Sequence, residues 1–413
     1  MNKISILICL VTLILFSLQL KGQNDTINVD TALAKVVSES DSIFQDSVGI
    51  VVDSLLSGDL KDTNKLILVF AGDIMGHDAQ IEGAYDEATE SYSYEPTFRY
   101  MTDFISSADV AIGNLEVTLA GPPYKGYPQF SSPDELAEAA RNAGFDILVN
   151  ANNHALDRGK KGFVRTLTML DSLKFLRAGT YFDSLNRDTL YPLIFEKNSI
   201  RIALLNYTYG TNGLTIDKPC IVNRIDTAQI SIDLAKAKLA QPDYIIVIPH
   251  WGNEYELTEN RSQQKLAEHI FRKGADCIIG SHPHVVQPIR NLVFDGDSST
   301  TYPVAYSMGN FVSNQRAEYK DGGIMIELQL EKTGDSVRLE SFDYLPYWVW
   351  RQDHSEKKST FYVVPVAKYE ANPDDFEFTP SDEYRIKRFA DDTRERLKRA
   401  TESDFYSNKK AAE

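Results

Sequence analysis

The sequence predicts a layered α/β domain, and three observations predict it. Continuous apolar runs of strand length recur along the chain, as they do when strands are buried on both faces. Capped, one-faced helices alternate with those runs. Most of the runs end directly in a cluster of polar residues.

The first run, Leu66-Ile67-Leu68-Val69-Phe70, stops at Ala71-Gly72-Asp73. Val110-Ala111-Ile112, Ile147-Leu148-Val149, Ile202-Ala203-Leu204-Leu205, Tyr244-Ile245-Ile246-Val247-Ile248, Cys277-Ile278-Ile279 and Val304-Ala305-Tyr306 follow. Between them, Ser132-Pro133-Asp134-Glu135 reads as a helix start, with Ser as cap, Pro in the first turn and Glu reaching back. Leu136, Ala140 and Ala143 then face inward, and Gly144 closes the helix. Residues 262–273 repeat the pattern with Leu266, Ile270 and Phe271 on one face. Residues 160–174 and 227–240 are further helices. The strand signals near 304–330 and 361–367 have no helix between them, which predicts added antiparallel sheet. Tyr347-Trp348-Val349-Trp350 alternates as a half-buried strand does, with the tryptophans packing. Residues 381–402 predict a C-terminal amphipathic helix. Ile386, Phe389, Thr393, Leu397 and Ala400 share a face, and Glu383–Lys387, Asp392–Arg396 and Glu395–Arg399 are four apart. That face either packs on the body or docks a partner.

Composition bounds the function classes. The 413 residues are 43% hydrophobic and 25% charged, the values of a globular protein. They exclude a wholly disordered, a collagen-like and a multi-spanning membrane protein. A net charge of −16 argues against a nucleic-acid partner, which needs clustered Lys and Arg. The three cysteines are Cys9, Cys220 and Cys277, without Cys-x-x-Cys spacing, so a metal site must use His, Asp, Glu and Asn. Lys3, the apolar stretch from Ile4 to Leu20 and the polar break at Lys21-Gly22 predict a signal peptide or N-terminal anchor over 1–22. The expected location is therefore outside the cytoplasm, in the periplasm or at the cell surface. Residues 23–64 are an acidic flexible tether. Residues 65–350 are the main domain, and 351–413 a strand-and-helix extension packed on it.

The polar clusters are Gly72-Asp73, Gly113-Asn114-Leu115-Glu116, Asn150-Ala151-Asn152-Asn153-His154, His250-Trp251-Gly252-Asn253-Glu254, Ser281-His282-Pro283-His284 and Ser307-Met308-Gly309-Asn310-Phe311. The carboxyl ends of parallel strands meet on one edge, where ligands bind. The clusters therefore converge, and they hold His154, His250, His282 and His284, four of the seven histidines. Imidazole and carboxylate around a crevice suit Zn, Mn or Fe. Two such ions can hold a bridging hydroxide and polarise an electrophile. His282-x-His284 sets both rings on one side of an extended segment, which Pro283 stiffens.

These clusters, in this order, resemble the bacterial capsule-synthesis protein family known as CapA, linked to poly-γ-glutamate capsules. The matching residues run from Phe70-Ala71-Gly72-Asp73 through Gly113-Asn114-Leu115-Glu116, Ala151-Asn152-Asn153-His154, Asp157-x-Gly159, His250-Trp251-Gly252-x-Glu254-Tyr255, Gly274-Ala275-Asp276 and Gly280-Ser281-His282-Pro283-His284 to Tyr306-Ser307-x-Gly309-Asn310-Phe311. That family in turn looks like a branch of the calcineurin-like metallophosphatases. The resemblance implies a four-layer α/β/β/α sandwich with one or two divalent transition metals (Mn, Fe or Zn) at the strand ends. It implies Asp73 as the first-strand ligand, Glu116 as the bridging carboxylate, Asn153 on the second metal and His154 as general acid. His250, His282 and His284 complete the shells.

The chain also departs from the phosphatase pattern. Met75 stands where those enzymes carry a His, with His77 two residues further on as an open substitute. Glu116 replaces an Asp, Ala155 follows His154, and Ser281 is inserted before His282.

Plainer readings stand beside these. Asp73 could cap a helix, Glu116 pair with an Arg, Asn153 and His154 bond within their loop, and His250 pack beside Trp251. Asp157 and Arg158 orient His154, contact an anionic substrate or only form the turn before Gly159. Glu254, Tyr255 and Asn310 line a substrate pocket or orient metal ligands. His269 and His354 read as structural or solvated.

The implied function is a metal-dependent hydrolase or transferase of the cell envelope, working on a phosphate-containing substrate or on an amide or ester of an anionic polymer such as poly-γ-glutamate. Metal-bound hydroxide attacks, and His154 protonates the leaving group. The resemblance also leaves room for a membrane-bound capsule-synthesis complex as partner. The alternative is a non-catalytic, polymer-binding accessory of capsule synthesis or export.

Overall fold

The computed structural model describes residues 64–294, 301–354 and 358–406. The expected leader (1–22) and the tether up to residue 63 lie outside the described residues. Among the described residues no helix is long and apolar enough to cross a membrane.

Two sheets form the frame. The larger has nine strands, and its main run in spatial order is Ser359–Pro365, Ser336–Asp353, Gly322–Thr333, Lys65–Ile74, Val110–Leu115, Ile147–Val149 and Leu176–Ala178. The last four are parallel. The first three add antiparallel, as the helix-free stretch predicts. Asn310–Val312 pairs in parallel with the end of Lys65–Ile74. The second sheet has six strands in the order Ile289–Leu292, Tyr302–Ala305, Cys277–Ile279, Tyr244–His250, Ile200–Thr208 and Leu193–Lys197. Its central four are parallel.

Alternation along each strand divides its side chains between two cores. Leu66, Leu68, Phe70, Ile112, Ile147 and Val149 share a core with Ile202, Leu204, Ile246 and Ile278 of the second sheet. Val69, Ala71, Ala111 and Leu148 point the other way, onto Phe98, Phe104, Leu136 and Leu170 of the covering helices. Thr227–Leu239 and Arg261–Arg272 cover the second sheet with Ile230, Leu234, Ala267 and Ile270. The layers therefore run α/β/β/α. Helix starts are fixed locally: Asp226 accepts from the Ala228 and Gln229 amides, and Asn260 with Gln263 forms a capping box.

One device recurs at the opposite edge from the polar clusters. Asp109, Asp146, Asp243 and Asp276 each precede a strand, and each carboxylate accepts the amide of a residue in the neighbouring parallel strand: Ile67, Ala111, Arg201 and Ile245, at 2.8, 3.0, 2.7 and 2.8 Å. Each Asp amide also donates back to the carbonyl of the same neighbour. The side chain thus completes a ladder pair where the strand has not yet begun. Burial pushes the Asp276 carboxyl up to about 6, against the Ile245 amide and Lys238, which pull it down. An unfolded Asp titrates near pH ~4. Its contribution to stability is therefore full below about pH 4 and is lost as pH rises to about 6. Asp276→Asn keeps an oxygen for Ile245 and cannot ionise. The variant is expected to lose less stability than the native chain between about pH 4 and 6, and to exceed it by about 1–2 kcal/mol at neutral pH. Urea midpoints across that range check this; superimposable profiles would contradict it.

The structure corrects several local expectations. Ser132 does not cap a helix, which spans Glu135–Asn142. Its amide is tied to the Thr118 carbonyl, which holds it in the preceding loop. The C-terminal helix spans Pro380–Arg396 and stops short of residue 402. Arg394 clamps Glu370 and Glu402, and Thr401–Glu402 adds a short parallel strand to Ser336–Asp353. Glu395 pairs with Lys398 rather than Arg399. The helix buries Ile386, Phe389 and Thr393 against the body. Tyr347 to Trp350 is buried on both faces: the tryptophans enter the inter-sheet core beside Phe378, while Tyr347 and Val349 enter the other. Cys220 and Cys277 are buried and free.

Candidate metal centre

The polar clusters do meet, at the carboxyl ends of parallel strands from both sheets. Asp73 is the penultimate residue of the first strand and is fully buried. Its amide donates to the Gly309 carbonyl, and a side chain at Gly72 would run into that same oxygen. Glycine there lets the two backbones touch and sets the depth of Asp73. Glu116 lies just past Val110–Leu115, pinned by its amide to the Ile74 carbonyl. Asn153 and His154 follow Ile147–Val149, His250 ends Tyr244–His250, and His282 and His284 follow Cys277–Ile279.

The side chains form one network. His284 Nδ1 lies 3.1 Å from Asp73 Oδ2 and 3.0 Å from Asn310 Oδ1. His250 Nε2 lies 2.7 Å from Asn153 Oδ1 and 3.4 Å from Glu116 Oε1, and its Nδ1 lies 3.0 Å from Ser281 Oγ. The His282 ring is 4.7 Å from that of His250 and 5.9 Å from that of His284. Ligand atoms cluster as Asp73–Glu116–His284, as Glu116–His250–His282 and as Glu254–His282–His284, each within 4.8 Å. Glu116 belongs to the two fully buried groups, and Glu254 is exposed.

Buried polar groups are normally satisfied. Glu116 Oε1 and His282 Nδ1 are buried with no hydrogen-bond partner among the described residues. A carboxylate oxygen and an imidazole nitrogen left over in one buried nest are the donors a borderline divalent ion prefers, so the residues fit such an ion.

The protonation pattern agrees. Burial opposes ionisation of Asp73, but the hydrogen bond and charge of His284, with His250 and Asn114, bring it down to about 2. Burial opposes a charge on His284 too, yet Glu116 and Asp73 hold it up at about 9. Glu116 is pushed well above the usual carboxyl range by burial and by Asp73. His250 falls to about 3 and His282 well below its usual value, chiefly by burial. The shifts of His284 and Glu116 thus both favour the protonated form beside Asp73, where a cation would supply the same charge.

His154 stands at the margin of the nest. Its Nδ1 is 2.7 Å from Asp157 Oδ2, which also accepts the Phe130 amide at 2.8 Å. The Phe130 ring meets the imidazole edge-on at 4.7 Å. Asp157 therefore orients His154. Arg158 turns away and donates to the Pro123 carbonyl. Tyr255 lies on the rim, 42% exposed, under the Lys320 ammonium. His77 sits at a helix start, bonded to Gln80 and to the Asn314 amide, outside the ligand groups. His269 and His354 bond Ser231 and Thr360, as structural groups do.

The extended-segment reasoning for His282 and His284 is corrected. Their φ values are +103° and +57°, left-handed backbone rather than a strand. Such angles are costly for residues with a Cβ and concentrate at functional sites. Sequence reasoning also missed Asn114 as the hub: its Nδ2 donates to Asp73 Oδ1 at 2.8 Å, and its Oδ1 accepts from Asn152. The Gly-Asn-Leu-Glu cluster displays it. Tyr209, whose ring is 4.5 Å from that of His282, was legible by the same strand-end rule, since it follows Ile200–Thr208. Nothing in the sequence signals Phe130.

The class that fold and site define is a four-layer α/β protein with a buried carboxylate–imidazole nest able to hold a metal ion at its strand ends. A family model described as bacterial capsule synthesis protein PGA_cap matches residues 67–315, and the chain belongs to that family. It is 26% identical over 296 residues to the capsule biosynthesis protein CapA of Bacillus anthracis, covering 67% of each chain. It is 28% identical over 275 residues to the PGA biosynthesis protein CapA of Bacillus subtilis, covering 64% of this chain and 68% of that one. Among solved structures it is similar to the calcineurin-like phosphoesterase YfkN of Bacillus subtilis, with 14% identity and a TM-score of 0.42, over 80% of this chain and 98% of that one.

Proposed function

We propose that this protein is a metal-dependent hydrolase or transferase acting on an anionic polymer of the cell envelope, outside the cytoplasm. One observation carries the proposal: Glu116, buried with one oxygen that no hydrogen bond satisfies, is shared by two ligand triads beside the oriented pair His154–Asp157. Asp73, Glu116, His250, His282 and His284, with Asn153, would hold one or two ions of Mn, Fe or Zn. Bound metal supplies Lewis acidity and an activated water at neutral pH. The chain's own residues do the rest. Asp157 fixes one imidazole nitrogen of His154, leaving the other to hand a proton to a leaving oxygen or nitrogen. Phe130 and the surrounding loop keep that ring from turning. Family membership and the relatives' printed roles in capsule and PGA biosynthesis support the polymer as substrate. A membrane-bound synthesis complex is the proposed setting, with the apolar segment 4–20 as the exporting or anchoring element.

The test is metal analysis of the purified chain together with turnover of a generic phosphodiester and of poly-γ-glutamate. His282→Ala is expected to lose metal and turnover together. Native protein that retains no transition metal and turns over neither substrate would end the proposal. One observation favours a non-catalytic polymer-binding accessory: Met75 is buried in the apolar core, so that position offers no imidazole to a metal. Polymer binding that survives His154→Ala, with no turnover by the native chain, would establish that reading instead.

A further inference from the structure

Two cavities have Tyr209 in their linings. One, of about 730 Å³, is lined by Tyr209, Trp251, Asn260, Arg261, Ser262 and Lys265 among others. The second, of about 450 Å³, is lined by Tyr209, Thr211, Asn212 and Arg224 among others. Tyr209 is the wall they share. Its ring is 42% exposed, 4.5 Å from the His282 ring and nearly parallel to that of His250. Its backbone is held on both sides, by the His250 carbonyl at 3.0 Å and by Arg224 at 3.3 Å. Asn212 also accepts from Asn153 of the metal nest at 3.3 Å.

The charge of these walls is opposite to that of the chain. The protein carries −16 overall, yet no Asp or Glu lines either cavity, while Arg224, Arg261 and Lys265 do. Arg261 and Lys265 are also placed against the interest of their own helix. They are like charges four apart, and Arg261 is the first residue of Arg261–Arg272, at the positive end of the dipole. Neither is in an ion pair among the described residues. Cations kept where they cost helix stability, in walls free of acid, call for an anionic ligand.

We infer that an extended polyanion lies across Tyr209, with one acidic group in the Arg261–Lys265 cavity, the next in the Arg224 cavity, and the linkage between them beside His282. This rests on the proposal that the chain acts on an anionic polymer and locates where that polymer is gripped. A single small anion would fill one cavity; a chain with repeated charges fills both, so affinity rises with length.

The experiment measures binding of poly-γ-glutamate, inorganic polyphosphate and neutral dextran to the full chain, with metal content and melting temperature recorded for each variant. Native protein is expected to bind polyanions, more weakly as salt rises, and not dextran. Arg261→Gln/Lys265→Gln and Arg224→Gln should each weaken polyanion binding by roughly tenfold or more, with metal content unchanged and the melting temperature not lowered. A preference for polyglutamate marks a carboxylate polymer and a preference for polyphosphate a phosphate one; either supports the groove. Native protein that binds neither polyanion, or variants that bind as the native chain does, would overturn the inference. Metal retention and phosphodiester turnover report on the nest separately, so a failed groove and a failed metal centre give different results.

Discussion

Glu116→Gln is expected to abolish metal retention while leaving the metal-free fold intact. Glu116 is the residue common to the two fully buried ligand groups, so its loss removes a donor from both at once. The amide matches the carboxyl in size. Burial and Asp73 already disfavour the charged form of Glu116 in the metal-free protein, so a neutral amide changes little there. Removing one donor should weaken metal binding by at least ~100-fold, beyond what supporting residues cost in known sites. The melting temperature of metal-free variant and native chain should match, whereas Mn, Fe or Zn should raise only that of the native chain. A variant still stabilised by metal would show that the ion sits elsewhere.

The second large effect concerns His154. His154→Gln fills the space beside Phe130 and cannot donate a proton as an imidazolium does. Turnover is expected to fall by about 10²–10⁴-fold with metal content unchanged. Asp157→Asn, which disturbs the oxygen that orients Nδ1 and accepts the Phe130 amide, should cost less, on the order of 10–100-fold. The diagnostic is leaving-group dependence. A substrate whose leaving group is a strong acid needs no protonation, so the deficit should shrink along a series of increasingly acidic phenols. A uniform loss across the series would make His154 a structural residue.

Much of this architecture is legible from residue order alone. Runs such as Tyr244 to Ile248 mark strands buried on both faces, and the cluster after each run lands on the edge where parallel strands end. The convergence of Asp73, Glu116, Asn153 and the histidines follows from that rule and from the family resemblance. What escapes it depends on tertiary partners. Asn114 looks like any polar residue at a strand end until Asp73, Glu116 and His250 are placed around it. The left-handed backbone of His282 and His284 is invisible because neither is glycine, and the surrounding fold over-determines it. Trp348 and Trp350 alternate like a half-buried strand, and only Phe378 and the C-terminal segment reveal that both faces are covered. The C-terminal helix is overextended in the sequence because residues 397–400 continue its apolar spacing, while the Arg394 clamp on Glu402 turns the chain into the sheet.

The most direct test is an anomalous-scattering map from crystals grown with Mn. The account predicts a peak enclosed by Asp73, Glu116 and His284, a second position enclosed by Glu116, His250 and His282, or both. A map with no peak among these side chains, or with manganese bound only on the surface, would contradict it.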